Sequence, residues 1–288
     1  YENSVDKIYG LKKQYDVSPE IVGKSFLGRK IFAIPLGKNP NNILYVGTVH
    51  GMEWITSHIL FRFCEDILDA QVNNKTLFGI EIAKMLSTRG AYIIPFLNPD
   101  GAQLQSHGKS AALHYSDDLG KMCGGDFSHW QANARGVDLN HNFDAGFDIL
   151  KKMEQDEGIL SPCPSRYGGK FPNSEPETKA IVNFIMKKNI KTLYTFHSQG
   201  EEIYYKYGDN TPKEAGLIAN LLGQYCGYEV LEPTGTASHG GLKDWFIDYF
   251  GRCGFTFEVG KGKNPLDICE FEGIYSKLLE ALVLSLIL

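Results

Sequence analysis

The chain contains no Cys-x-x-Cys pair. Its six cysteines (Cys64, Cys123, Cys163, Cys226, Cys253, Cys269) are scattered through 288 residues, so a thiolate-ligated metal site is disfavoured. Cys64, Cys226 and Cys253 sit in apolar settings and read as small core residues. Cys123 and Cys163 lie in Gly- and Pro-rich loops where an oxidising compartment could pair them, but six cysteines without a framework pattern fit a reduced interior better. The expected location is therefore the cytoplasm, with secretion or the cell wall as the alternative. There is no basic run either: the net charge is −5, which gives no electrostatic footprint for nucleic acid. Long apolar runs are absent as well. The strongest, Leu278 to Leu288, is interrupted by Glu280, is too short to span a bilayer and reads as a buried terminal helix. With no internal repeat and no Pro- or Ser-rich linker, residues 1–288 are expected to form one domain, long enough for a large core.

What is present is an alternation of strand-like and helix-like segments. Helical spacing marks 4–15; two extended segments joined by Leu27-Gly28-Arg29 fill 24–36; a strand follows at 43–49 and a helix at 54–70, with Ile55, Ile59, Leu60, Phe63, Ile67 and Leu68 on one stripe. A short helix at 79–87 and a strand at 91–97 come next. Residues 98–174 are polar and Gly-rich and read as a long functional loop region. Ser174 before Glu175-Pro176-Glu177 predicts a capped helix over 175–188. Strands at 191–197, 202–206, 228–231 and 254–259 then alternate with helices at 212–225, 241–250 and from about Leu266. The pattern predicts an α/β fold: a mixed, mostly parallel twisted sheet of about eight strands with helices on both faces.

Polar clusters stand at the ends of the apolar runs. Gly47-Thr48-Val49-His50-Gly51-Met52-Glu53 closes a strand and opens a helix, so an imidazole and a carboxylate three residues apart share one turn and can converge on a small dication. Alone, His-x-x-Glu is weak, expected by chance about once in two chains with this many histidines. Further clusters strengthen it: Leu97-Asn98-Pro99-Asp100-Gly101, Arg135-Gly136-Val137-Asp138-Leu139-Asn140-His141-Asn142-Phe143, Thr195-Phe196-His197-Ser198 and Phe255-Thr256-Phe257-Glu258. All fall at or beyond strand ends, where open α/β sheets place their ligands.

The order of these clusters resembles the zinc metallocarboxypeptidases of the carboxypeptidase A type, from about Gly28 to the C-terminus. The phrases at 22–29 (Val-Gly-Lys-Ser-Phe-Leu-Gly-Arg), 197–201 (His-Ser-Gln-Gly-Glu), 243–247 (Lys-Asp-Trp-Phe-Ile) and 258–266 (Glu-Val-Gly-Lys-Gly-Lys-Asn-Pro-Leu) are similar to the bacterial branch that cleaves γ-D-glutamyl-diaminopimelate bonds in murein peptides. The resemblance implies one zinc ion per chain, held by His50, Glu53 and His197, with Glu258 as general base and Arg135 facing the oxyanion. It implies substrate contacts at Asn140, His141, Ser198 and Lys243, and a murein peptide as the partner.

Two departures bear on the substrate. Where the digestive enzymes carry Asn-Arg, this chain has Asn140-His141, so the two-pronged grip on a terminal carboxylate must be weaker or lie elsewhere. The mobile substrate-capping tyrosine corresponds to Thr236. Counting back from Glu258 puts Lys243 at the base of the pocket for the residue leaving on the amine side, where a lysine favours an acidic feature such as the distal carboxylate of meso-diaminopimelate. The expected function is therefore zinc-dependent hydrolysis of the γ-D-glutamyl-meso-diaminopimelate bond. The alternatives are C-terminal trimming of ordinary peptides and a silent peptide-binding module of the same fold, though a silent module has no use for Glu258.

Overall fold

The computed structural model describes residues 1–37 and 42–288, and of Glu2, Thr236 and Ala237 the backbone alone. In chain order the elements are α1 (Glu2–Tyr15), β1 (Glu20–Lys24), β2 (Lys30–Gly37), β3 (Asn42–Val46), α2 (Ile55–Val72), a small hairpin β4 (Thr76–Leu77) and β5 (Ile80–Glu81), α3 (Ile82–Thr88), β6 (Gly90–Ile94), α4 (Pro99–His107), α5 (Ser116–Met122), α6 (Phe147–Asp156), α7 (Pro176–Lys188), β7 (Ile190–His197), β8 (Glu202–Tyr204), α8 (Ala215–Cys226), β9 (Glu229–Leu231), α9 (Leu242–Phe250), β10 (Gly254–Glu258) and α10 (Phe271–Ser285).

Eight strands form one sheet in the order β1-β2-β6-β3-β7-β10-β8-β9. Its centre is parallel: β6, β3, β7 and β10 run the same way, while β1, β2 and β8 pair antiparallel. Side chains alternate between faces along each strand, and here both faces are dry. Tyr45, Tyr194, Phe196, Phe255 and Phe257 enter one core with α1, α2, α8 and α10, and Leu44, Val46 and Leu193 enter another with α7 and α9. On the first face the rings of Tyr45, Tyr194 and Phe255 stack at 5.2 Å spacings across three adjacent strands. Cross-strand aromatic pairs of this kind hold register, and register is what aligns the strand ends.

The sheet and its coverage match the pattern read from the sequence, with corrections in the middle of the chain. Residues 98–174 are not an open loop region, since they contain α4, α5 and α6. The first was signalled: the Asn98 side chain accepts from Gly101 N–H at 2.8 Å, Pro99 occupies the first turn and Asp100 follows, the same grammar that marks α7. At α7 itself Ser174 does not cap. The helix starts at Pro176 with Glu175 as its extended lead-in, and the Ser174 hydroxyl instead donates to Glu175 Oε1 at 2.7 Å and accepts from Asn142 at 2.9 Å. The strand expected to reach Leu97 stops at Ile94 before Pro95, which has no N–H for a ladder.

Candidate active site

The turn after β3 is built to hold two side chains rigidly. Thr48 N–H donates to Thr56 Oγ1, which donates in turn to the Glu53 carbonyl, both at 2.8 Å. Gly51 N–H donates to the Gln131 carbonyl at 2.9 Å, and Asn98 Nδ2 reaches the Val49 and Ala132 carbonyls at 3.1 Å each. A side chain at Gly51 would sit 2.4 Å from the backbone of Gly101, so glycine is what allows the turn to press against α4.

This frame carries His50 and Glu53 to His197 at the end of β7. His50 Nδ1 is 3.0 Å from Glu53 Oε1, His197 Nδ1 is 3.0 Å from Glu53 Oε2, and the two Nδ1 atoms are 3.1 Å apart. All three residues are buried. Three lone-pair donors crowded at one dry point are stable only with positive charge among them. Ligands of a tetrahedral zinc at about 2.0–2.1 Å stand roughly 3.3 Å from one another, so the residues fit the ion that the sequence implies. They are the one such cluster of potential metal ligands among the described residues.

Asp138 completes the support. Its Oδ1 lies 3.1 Å from His50 Nε2, the ring nitrogen turned away from the cluster, which fixes the tautomer that leaves Nδ1 free as a ligand. Three donors hold the carboxylate in place: Asn140 N–H at 3.0 Å, Arg166 N–H at 2.9 Å and Gln131 Nε2 at 3.1 Å. Burial opposes its charge, but His50, His141 and the hydrogen bonds prevail and hold the carboxyl well below the usual range. Around His50 the same contest runs the other way: burial lowers its pKa, yet the carboxylates of Glu53 and Asp138 raise it well above the ordinary imidazole value. Sequence reading passed over Asp138 although it stands two residues before Asn140.

Glu258 ends β10 directly beside His197 on β7 and across from Glu202 on β8, so all three point to the same face. It is half-buried and makes no ion pair among the described residues; Lys261, a neighbour in sequence, pairs instead with Glu201 at 3.2 Å. Burial, followed by the nearby Glu53 and Glu202 carboxylates, pushes the Glu258 carboxyl well above the usual range against the pull of His50. A proton-accepting group beside the metal-ligand cluster is what general-base chemistry requires.

A cleft of about 610 Å³ opens over this centre, lined by His50, Glu258, Asn140, His141 and Lys243 among others. Asn140 Oδ1 accepts from Leu242 N–H at 3.0 Å, which leaves its amide N–H groups for a ligand. Lys243 is only 5% exposed; its ammonium is paired with Asp244 and donates to the Lys206 carbonyl at 3.0 Å. Thr236 contributes to a short 3-10 turn, and its side chain lies outside the described residues.

Two expected contacts are elsewhere. Arg135 is exposed, stacks on Phe26 at 5.4 Å and stands 3.7 Å from Glu175 Oε2; it is not among the residues lining the cleft. The guanidinium that does line it belongs to Arg166, which no motif flagged. Ser198 is buried and donates to Asn264 Oδ1 at 2.7 Å, so it fixes the loop that follows His197, while Gln199 faces the cleft.

Comparison with known proteins agrees with this geometry. A family described as zinc carboxypeptidase matches residues 10–277. Over 260 residues the chain is 34% identical to gamma-D-glutamyl-L-diamino acid endopeptidase 1 of Lysinibacillus sphaericus, covering 90% of this chain and 64% of that protein; it thus spans less than two thirds of that relative's length. Identity to carboxypeptidase B of Homo sapiens is 28% over 263 residues, covering 84% and 58%. Bovine thrombin-activatable fibrinolysis inhibitor, solved with tick carboxypeptidase inhibitor, superposes with a TM-score of 0.75 at 22% identity, covering 98% of this chain and 93% of that one. Murein-tripeptide amidase MpaA from Escherichia coli O157 superposes with a TM-score of 0.58 at 21% identity, covering 93% and 91%. At such identities the two structures speak for the fold.

Proposed function

This chain belongs to the zinc carboxypeptidase family, and from that premise we propose that it holds one zinc ion on His50, Glu53 and His197 and hydrolyses the γ-D-glutamyl-meso-diaminopimelate bond of murein peptides. Zinc bound there supplies Lewis acidity towards a water and a scissile carbonyl. The protein's own groups do the rest. Glu258 accepts a proton from the attacking water and returns it to the departing amine. Asp138 keeps the His50 ring oriented, and the Asn140 amide donates to the substrate.

The observation that carries the substrate assignment is the buried Lys243 on the floor of the cleft. Asp244 and the Lys206 carbonyl compensate two of the three ammonium donors, and the third is open to an acidic group of the substrate, whereas an aromatic or aliphatic side chain would make no use of it. The distal carboxylate of diaminopimelate would, and a relative of 34% identity carries a name that specifies γ-D-glutamyl-diamino acid bonds. Removal of acidic C-terminal residues from ordinary peptides is the second reading, because Lys243 suits any acidic side chain. Six cysteines without a framework spacing suit a reducing compartment; we place the protein in the cytoplasm, acting on murein turnover peptides.

Incubating the zinc-analysed protein with L-Ala-γ-D-Glu-meso-diaminopimelate and with a peptide ending in L-Glu tests the proposal. Mass spectrometry should show free diaminopimelate and L-Ala-D-Glu from the first. Release of L-Glu from the second with the tripeptide left intact would favour the second reading.

A further inference from the structure

The carboxylate grip that His141 does not provide has another source in the fold. The Nδ1 of His141 lies 2.8 Å from the carbonyl of Arg166. A carbonyl only accepts, so Nδ1 carries the hydrogen. In the neutral ring Nε2 is then an acceptor and offers nothing to an anion. The same contact draws Arg166 alongside the position from which the digestive enzymes extend their guanidinium.

Arg166 is held there by its main chain. Besides the carbonyl bonded by His141, its N–H donates to Asp138 Oδ2 at 2.9 Å, and its backbone takes a left-handed conformation with φ at 68°. Such a conformation is unfavourable for a residue with a side chain and persists where the surroundings impose it. The side chain, by contrast, is only loosely engaged: Nη1 pairs with Glu157 Oε2 at 2.8 Å, with both partners about half exposed, a kind of pair that adds about 0–1 kcal/mol. Among the described residues lining the cleft, Arg166 and Lys243 are the two with permanent positive charge. Lys243 is already bonded to Asp244 and to the Lys206 carbonyl. Arg166 keeps unused N–H groups in a fork suited to a carboxylate.

We infer that Arg166 supplies the guanidinium that holds the free α-carboxylate of the residue released on the amine side, in the role left open at His141. The inference rests on the family's reaction and not on the murein substrate, so it applies to either reading above.

The test compares the parent, Arg166→Met and the double variant His141→Arg with Arg166→Met. Each is given L-Ala-γ-D-Glu-meso-diaminopimelate and the analogue amidated at the α-carboxyl next to the scissile bond. If the parent ignores the tripeptide, which contradicts the proposed substrate and leaves Arg166 open to test, benzoyl-Gly-Glu and its C-terminal α-amide serve instead. Arg166→Met should raise KM for the acid about tenfold or more, the scale of a lost charge-assisted hydrogen bond, with kcat changed less than about threefold and with KM for the amide unmoved. His141→Arg should restore much of the acid's KM by returning a guanidinium from the neighbouring position. Because Asp138 and His141 bond the main chain of Arg166, zinc content and Tm should stay at parent values and show that the site is intact. An unchanged KM for the acid, an equal rise on acid and amide, or a folded, zinc-loaded double variant with no recovery each overturns the assignment.

Discussion

The proposed hold of Lys243 on the distal carboxylate of the substrate has a magnitude that can be worked from its surroundings. An ammonium has three N–H donors; the structure assigns one to Asp244 and one to the Lys206 carbonyl, which leaves one for the cleft. Replacing Lys243 by Met keeps most of the stem's volume and removes the charge. Part of the resulting loss is structural, because Asp244, 2% exposed, then keeps, among the described residues, the Gly241 N–H at 3.3 Å as its side-chain partner, and leaving one partner of a buried pair costs about 3–5 kcal/mol. That part is common to all substrates and cancels in a comparison. The specific part is the bond to the distal carboxylate, about 2 kcal/mol for a largely desolvated charged hydrogen bond, or roughly thirtyfold in kcat/KM. The assay is kcat/KM for L-Ala-γ-D-Glu-meso-diaminopimelate and for the same tripeptide ending in L-Lys, which lacks that carboxylate. The parent should prefer the first by about that factor and Lys243→Met should erase the preference. Equal losses on both substrates, or a parent that treats them alike, would refute the role.

Other consequences follow from the same geometry. His50→Ala and His197→Ala should each lose zinc on dialysis, since either removes one of three ligands, and Asp138→Asn should weaken zinc affinity about 10–100-fold by releasing the His50 ring; full stoichiometry in both histidine variants would rule the site out. Arg135→Ala should keep kcat within about threefold because its guanidinium rests on Phe26 and Glu175, whereas a drop of about 100-fold or more would return it to the oxyanion role. Glu177, buried beside Asp100, has its carboxyl pushed up to about 8, chiefly by burial. A carboxyl that stays protonated only in the folded state stabilises below its unfolded pKa, and that contribution is lost as pH rises from about 4.5 through 8. Urea unfolding of the parent should show this loss, and Glu177→Gln should have a shallower slope over the same range; parallel slopes would contradict the shift.

The sequence made the ends of the parallel strands legible, because apolar runs with β-branched and aromatic residues are interrupted there by His50, His197 and Glu258, types that a core does not accept without purpose. What it hid is long-range. Asp138 acts on His50 from 88 positions away, and nothing local distinguishes it from any loop aspartate. Arg135 and Arg166 look alike in sequence; only the fold turns one towards Phe26 and brings the other to the cleft. The helices within 98–174 were missed for a different reason. The Asn98 cap of α4 was readable, whereas α5 and α6 start without a side-chain cap; frequent glycine and polar residues mask the apolar periodicity, and tertiary contacts such as the Asn98 bonds to Val49 and Ala132 supply the stability that propensity does not.

The central claim is that His50, Glu53, His197 and Glu258 form a hydrolytic centre in which metal holding and proton transfer are separate tasks. Glu258→Gln separates them, because the amide occupies the same space and cannot accept a proton. Zinc per chain, measured together with turnover of L-Ala-γ-D-Glu-meso-diaminopimelate, should read one in both proteins, with product formation lost in the variant by about 100-fold or more. A zinc-loaded Glu258→Gln protein working at the parent rate would contradict the account.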